Sequence, residues 1–79
     1  MDKLIQDIFL GGNLKELRKR HGYTQVSLIA KLQIMGSSLS RTTYSKIESG
    51  SRNIYVSDLI RLSRIYSESF DEFFKDIEI

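Results

Sequence analysis

The sequence predicts an all-α fold: five helices preceded by a short N-terminal one. Three observations predict it. Apolar residues recur at three- and four-residue spacing, the period of one helix face, in several separate stretches. Helix-capping residues (Ser, Thr or Asn) stand before most of these stretches, and Gly22 and Gly50 follow two of them. The chain is also only 79 residues long and has no Cys. That length means one small domain on one core, with no disulfide and no thiolate metal site to staple it. Domains of this kind often lean on oligomerisation.

Taken in order, Leu4, Ile5, Ile8 and Phe9 fall at helical spacing, so a short amphipathic helix is expected over residues 3–10. Gly11 and Gly12 are expected to end it. Residues 1–12 then form an arm ahead of the main domain, 13–79. That arm either lids the domain's own core or packs against a partner subunit. Asn13 is expected to cap the next helix, with Glu16 at the capping-box position. Leu14 and Leu17 face inward, and Gly22 stops the helix after Arg18, Lys19, Arg20 and His21. Cations favour a helix C-terminus; for Lys19 and Arg20, solvation and a phosphate contact both stand open.

Thr24 caps the following helix, whose inner stripe is Leu28, Leu32 and Met35. After a turn at Gly36, Ser37 and Ser38 comes residues 40–50, SRTTYSKIESG. Ser40 caps this helix, Gly50 closes it, and Tyr44 and Ile47 share its inner face. Arg41, Thr42, Thr43, Ser45 and Lys46 make the rest of the helix free of acid, and Glu48 is its only acid, at the end. A narrow apolar side opposite such a surface suits insertion into something anionic, and reads as a DNA recognition helix. The next helix carries Asp58 near its start, with Ser57 expected to cap in place of Tyr55, and an inner stripe of Leu59, Leu62 and Tyr66. Ser69 is expected to cap a last helix, with Glu72 three residues on. Phe70 and Phe73 are expected in the core. The surplus apolar groups Phe74, Ile77 and Phe9 mark a candidate dimer surface.

Net charge is only +2, so its distribution matters more than its total. Residues 13–52 hold eight Lys or Arg against two Glu, and residues beyond 53 hold three basic against six acidic. The acidic C-terminal part is therefore expected to point away from DNA. No apolar run approaches the ~18 residues of a membrane span, and Asp2 and Asp7 argue against an export signal. Catalysis finds no nucleophile or paired carboxylates around the sole His21, so no enzyme, no cofactor and no metal site is expected.

Between residues 13 and 74 the chain resembles the Xre family of Cro- and phage-repressor-type helix-turn-helix proteins. The resemblance rests on NLKELRKRHGYTQ (13–25), on Leu28, Lys31 and Leu32, on SRTTYSKIESG (40–50) and on DLIRLSRIY (58–66). It implies a structural ion pair between Arg18 and Glu48. It also implies a phosphate contact for Gln25, as helix N-termini favour, and base contacts for Arg41, Thr42 and Lys46. Arg can bond guanine O6 and N7 together, and the Thr methyl packs on thymine. Thr43 and Ser45 are placed for phosphate or intrahelical bonds, Arg52 fits the basic phosphate contacts that relatives place in this loop, and Ser49 can offer a hydroxyl there; phosphate contacts position rather than specify. Two departures stand out. Ile29 sits where relatives favour Ala, and Leu32 and Tyr44 are several residues further apart than in the shortest members. The insertion, roughly 33–39, is expected to extend the second helix and leave a loose turn.

The function implied is sequence-specific binding of double-stranded DNA at an inverted-repeat operator by a homodimer. It is that of a transcriptional regulator, expected to repress, in a cytoplasmic, bacterial or phage-type setting. The alternative is an antitoxin-like or adaptor protein whose hydrophobic terminal helices cover a protein partner. The modest charge and the Phe-rich C-terminal segment favour that alternative somewhat.

Overall fold

Four α-helices carry the structure in a computed structural model that describes residues 3–4 and 9–77. They are α1 (Gly11–Arg20), α2 (Gln25–Ile34), α3 (Arg41–Glu48) and α4 (Val56–Tyr66). A 3₁₀ turn, Phe70–Phe73, follows them. Two short strands, β1 (Lys3–Leu4) and β2 (Ile54–Tyr55), pair antiparallel. The all-α class holds, and the helix count is smaller than the sequence suggests. α3 packs against both α1 and α2, α4 packs against α2, and the 3₁₀ turn closes on α1.

The core forms where the inner stripes meet: Leu14 and Leu17, Leu28 and Leu32, Tyr44 and Ile47, Leu59 and Leu62, and Phe73. Each large apolar side chain buried there contributes about 1.5–3 kcal/mol. Ile29, the branched side chain at the α2–α3 crossing, is buried in the same cluster without separating the two helices. Thr24 caps α2 in a full capping box with Ser27, and Ser40 caps α3 by accepting from the Thr43 amide. Gly22, Gly36 and Gly50 all take positive φ, between 80° and 95°, where a helix must stop and turn.

The N-terminal expectations need correction. Lys3 and Leu4 are not helical; they lie opposite Tyr55 and Ile54 in the strand pair. Residues 5–8 lie outside the described residues. Apolar spacing in so short a stretch does not separate helix from strand, and pairing with residues 54–55 decides it. Gly11 and Gly12 open α1 rather than ending a helix. The reason at Gly11 is crowding, because a Cβ there collides with the Glu48 backbone carbonyl. Asn13 is consequently the third residue of α1 and not its cap. Its Nδ2 donates instead to the carbonyls of Phe73 (3.0 Å) and Lys75 (2.7 Å). Glu16 makes no capping box and accepts from Arg20 one turn on, at 2.7 Å.

Later boundaries shift too. α4 starts at Val56, with Tyr55 at the cap position and no side-chain cap bond, so Ser57 is not the cap. Asp58 is buried and accepts from Arg61 Nη1 at 2.8 Å. The last helix shrinks to the 3₁₀ turn, and Ser69 makes no side-chain cap bond. A single turn buries one ring: Phe73 is fully buried, whereas Phe70 is 47% exposed and not core. The C-terminal segment is nonetheless tied down. Arg20 Nη1 reaches Glu72 at 3.1 Å, and His21 stacks on Tyr66 with its Nε2 2.9 Å from Glu68.

The turn between α2 and α3 is not loose. Arg61 Nε donates to the Met35 carbonyl at 3.1 Å, Gln33 Nε2 to the Leu39 carbonyl at 3.0 Å, and the Leu39 amide to Ser37 Oγ at 3.1 Å. Ser37 and Leu39 are both buried beneath it.

The contact between α1 and the end of α3 has a direct test. Gly11→Ala is expected to cost about 2 kcal/mol, an overpacking penalty, because backbone and not a flexible side chain is in the way. Gly12→Ala meets only the Phe9 ring, at 3.4 Å, and gains helix propensity, so its stability should change little or rise. Urea denaturation of both variants checks this, and equal losses would contradict it.

Candidate nucleic-acid interface

α3 has two unlike sides. Tyr44 and Ile47 are fully buried, while Arg41, Thr42, Ser45 and Lys46 are exposed. Thr43 is half-buried, and its Oγ1 accepts from the Ser40 hydroxyl at 3.1 Å. Ser49 is exposed and donates to the Lys46 carbonyl at 2.9 Å, and Arg52 is exposed in the loop beyond Gly50. The exposed side thus carries two cations and several hydroxyls. The only acid of α3, Glu48, is turned inward. A face of this kind attracts phosphate and can hydrogen-bond base edges.

What turns Glu48 inward is a compact polar cluster. Arg18 Nε donates to Glu48 Oε2 at 2.7 Å and Nη2 to Oε1 at 3.2 Å, a two-pronged pair in which each residue is 7% exposed. The third branch, Nη1, donates to the Tyr23 carbonyl at 2.9 Å. Gln25 Nε2 donates to Glu48 Oε1 at 3.2 Å, so one amide hydrogen of Gln25 is already used within the fold. Burial pushes the Glu48 carboxyl up, but the hydrogen bonds from Arg18 and Gln25, with the adjacent Tyr44 hydroxyl and the Arg18 charge, outweigh it and hold it below the ordinary value. Bonding to Glu48 raises Arg18 in turn. The Tyr44 hydroxyl is buried beside this carboxylate without hydrogen-bond geometry, and burial pushes its ionisation well up.

Of the other candidates, Phe9 is exposed, and its ring lies against Gly11 and Gly50, where α1 meets the end of α3. Phe74 is 44% exposed and Ile77 half-buried, just beyond the 3₁₀ turn. Sequence reasoning missed Gln33 and Arg61, which hold the turn ahead of α3, and the role of Asn13 in tying down the C-terminal segment. Their partners are backbone carbonyls, which leave no residue-type signature.

A helix whose buried side packs on two others, presented by a turn and preceded by a capped helix, defines a helix-turn-helix. The helix-turn-helix family model matches residues 14–73, and the chain belongs to that family, of the Xre type. It is a DNA-binding regulator. The chain is 38% identical over 72 residues to the control protein C.MunI of a Mycoplasma species, a match that covers 90% of each protein. No solved structure matches it. No helix among the described residues is long and apolar enough to cross a membrane.

The buried pair makes two linked predictions. Removing either partner by Arg18→Ala or Glu48→Ala strands a buried charge and should cost about 3 kcal/mol. The double variant should lose clearly less than the two losses added, in a cycle of urea melts; additive losses would show that the groups do not act as a pair. The pH dependence follows from the sign of the Glu48 shift. Its folded value lies below its unfolded one, so its stabilisation is present above the ordinary carboxylate range and is lost as pH falls through the depressed value. Glu48→Gln should therefore flatten the acid limb of the stability profile.

Proposed function

We propose that the chain is a sequence-specific transcriptional regulator that binds double-stranded DNA as a homodimer, with residues 40–49 in the major groove. The observation that carries this is the acid-free exposed side of α3, set by Arg41, Thr42, Ser45 and Lys46 while Glu48 is neutralised inside. Arg41, Thr42 and Lys46 meet base edges, and Thr43, Ser45, Ser49 and Arg52 meet phosphates. That the relative is a control protein supports a regulatory role.

Dimerisation serves a physical need, since one eight-residue helix can specify only a few base pairs. Two copies read two half-sites about one helical turn, ~34 Å, apart. The exposed Phe74 ring and the adjoining Ile77 supply apolar surface for the pairing, and the clamped acidic C-terminal segment stays off the DNA. The same exposed rings favour a second reading, in which covering a protein partner is the main role.

Selection from a random duplex library at two salt concentrations separates the readings. The proposal expects an inverted repeat whose half-site centres lie about ten base pairs apart. It also expects Arg41→Ala to weaken binding to that duplex by about tenfold or more. Enrichment of no sequence, or equal affinity of Arg41→Ala and wild type, would contradict the reading of α3.

A further inference from the structure

α2 holds both ends of α3, and it does so with two glutamine side chains. Gln25, the first residue of α2, donates to Glu48, the last residue of α3, at 3.2 Å. Gln33, near the other end of α2, donates to the Leu39 carbonyl at 3.0 Å, just ahead of the Ser40 cap of α3. The bonds therefore sit at opposite ends of the two helices, like the pins of a splint.

The chemistry of each acceptor fixes how its carboxamide lies. The ionised Glu48 carboxylate and the Leu39 carbonyl have no hydrogen to give, so each requires the amide nitrogen to face it. Arg18 reinforces the first pin, because the guanidinium that grips Glu48 also donates to the Tyr23 carbonyl two residues before Gln25. Hydrophobic contact between the helices, Leu28, Ile29 and Leu32 against Tyr44 and Ile47, holds them together but is non-directional. Reading a base edge demands placement to within about 0.5 Å and 10–20°. Directional bonds at both ends of α3 provide that where apolar packing does not.

We propose that Gln25 and Gln33 are positioning residues that set the angle of α3 on α2, and so act on sequence discrimination through Glu48 and the Leu39 carbonyl without touching DNA. The inference rests on the reading of α3 as the recognition helix. It gives Gln25 a role different from a phosphate contact, and the two roles have different signatures. A phosphate contact from a neutral side chain supports all duplexes alike. A positioning residue supports only the duplex whose bases α3 reads.

The test measures Gln25→Ala, Gln33→Ala and the double variant against two duplexes: the one enriched by selection and a shuffled duplex of equal length. Each variant gives up one neutral or charge-assisted hydrogen bond, so the double variant should bind the selected duplex about tenfold more weakly. Its affinity for the shuffled duplex and the salt slope on both should stay at the wild-type values, and each single variant should move the ratio in the same direction by a smaller factor. Equal losses on both duplexes would make these side chains phosphate contacts and overturn the proposal. An unchanged ratio in the double variant would overturn it as well. Should the double variant fail to fold, the two single variants decide on the same ratio. Failure of the parent reading looks different: wild type itself then shows no preference for the selected duplex, and the inference falls with it.

Discussion

The presentation of α3 depends on one buried contact, the pair between Arg18 and Glu48. Three elements meet there: α1 through Arg18, the start of α2 through the Tyr23 carbonyl and Gln25, and the last residue of α3 through Glu48. A buried ion pair is not in itself a source of large stability, because desolvating two charges costs much of what their attraction returns. Its value here lies in direction. A two-pronged guanidinium–carboxylate contact accepts only one geometry, and by neutralising Glu48 it leaves the outer side of α3 with cations and hydroxyls alone.

A second clamp works at the far side of α1. Arg20, His21 and Asn13 draw the acidic C-terminal segment onto the helix, and Phe73 plugs into the core between them. The magnitudes decide which of these matters most. Arg20 and its carboxylates are partly exposed, so solvent screens their attraction and such pairs add little. Burying Phe73 contributes about 1.5–3 kcal/mol. The ring anchors the segment, and the charges steer its acids toward α1. Part of the lopsided charge in the sequence is thereby paired within the chain, Arg20 of α1 reaching Glu68 and Glu72 of the acidic segment.

How much was legible in the sequence follows from how local each signal is. Thr24 and Ser40 cap the helices that follow them, and Gly22 and Gly50 turn the chain where the helices end, because those are contacts within a few residues. Leu28 and Leu32 of α2 and the inner faces of α3 and α4 were legible for the same reason, whereas Met35 lies just past α2 and is only half-buried. Lys3 and Leu4 were not, since their strand exists only because residues 54–55 offer an edge from far along the chain. Asn13 looked like a cap, yet its partners lie 60 and 62 residues away, and what leaves no room for a side chain at Gly11 is a backbone carbonyl that spacing does not reveal. The spacing of Phe70 and Phe73 promised a shared buried face, but a single 3₁₀ turn buries only the second ring. For the candidate interface, the residue types of α3 were informative, whereas the side chains that aim it, Gln33 and Arg61 among them, bond to carbonyls and carry no signature of their own.

The measurement closest to the central claim is a map of backbone amide shifts in labelled protein as duplex DNA is added. The account predicts that the largest changes fall on residues 40–46 and on the loop around Arg52, with the Phe70–Phe73 turn unmoved at the lowest protein concentration. Changes centred instead on that turn, with α3 unmoved, would contradict it.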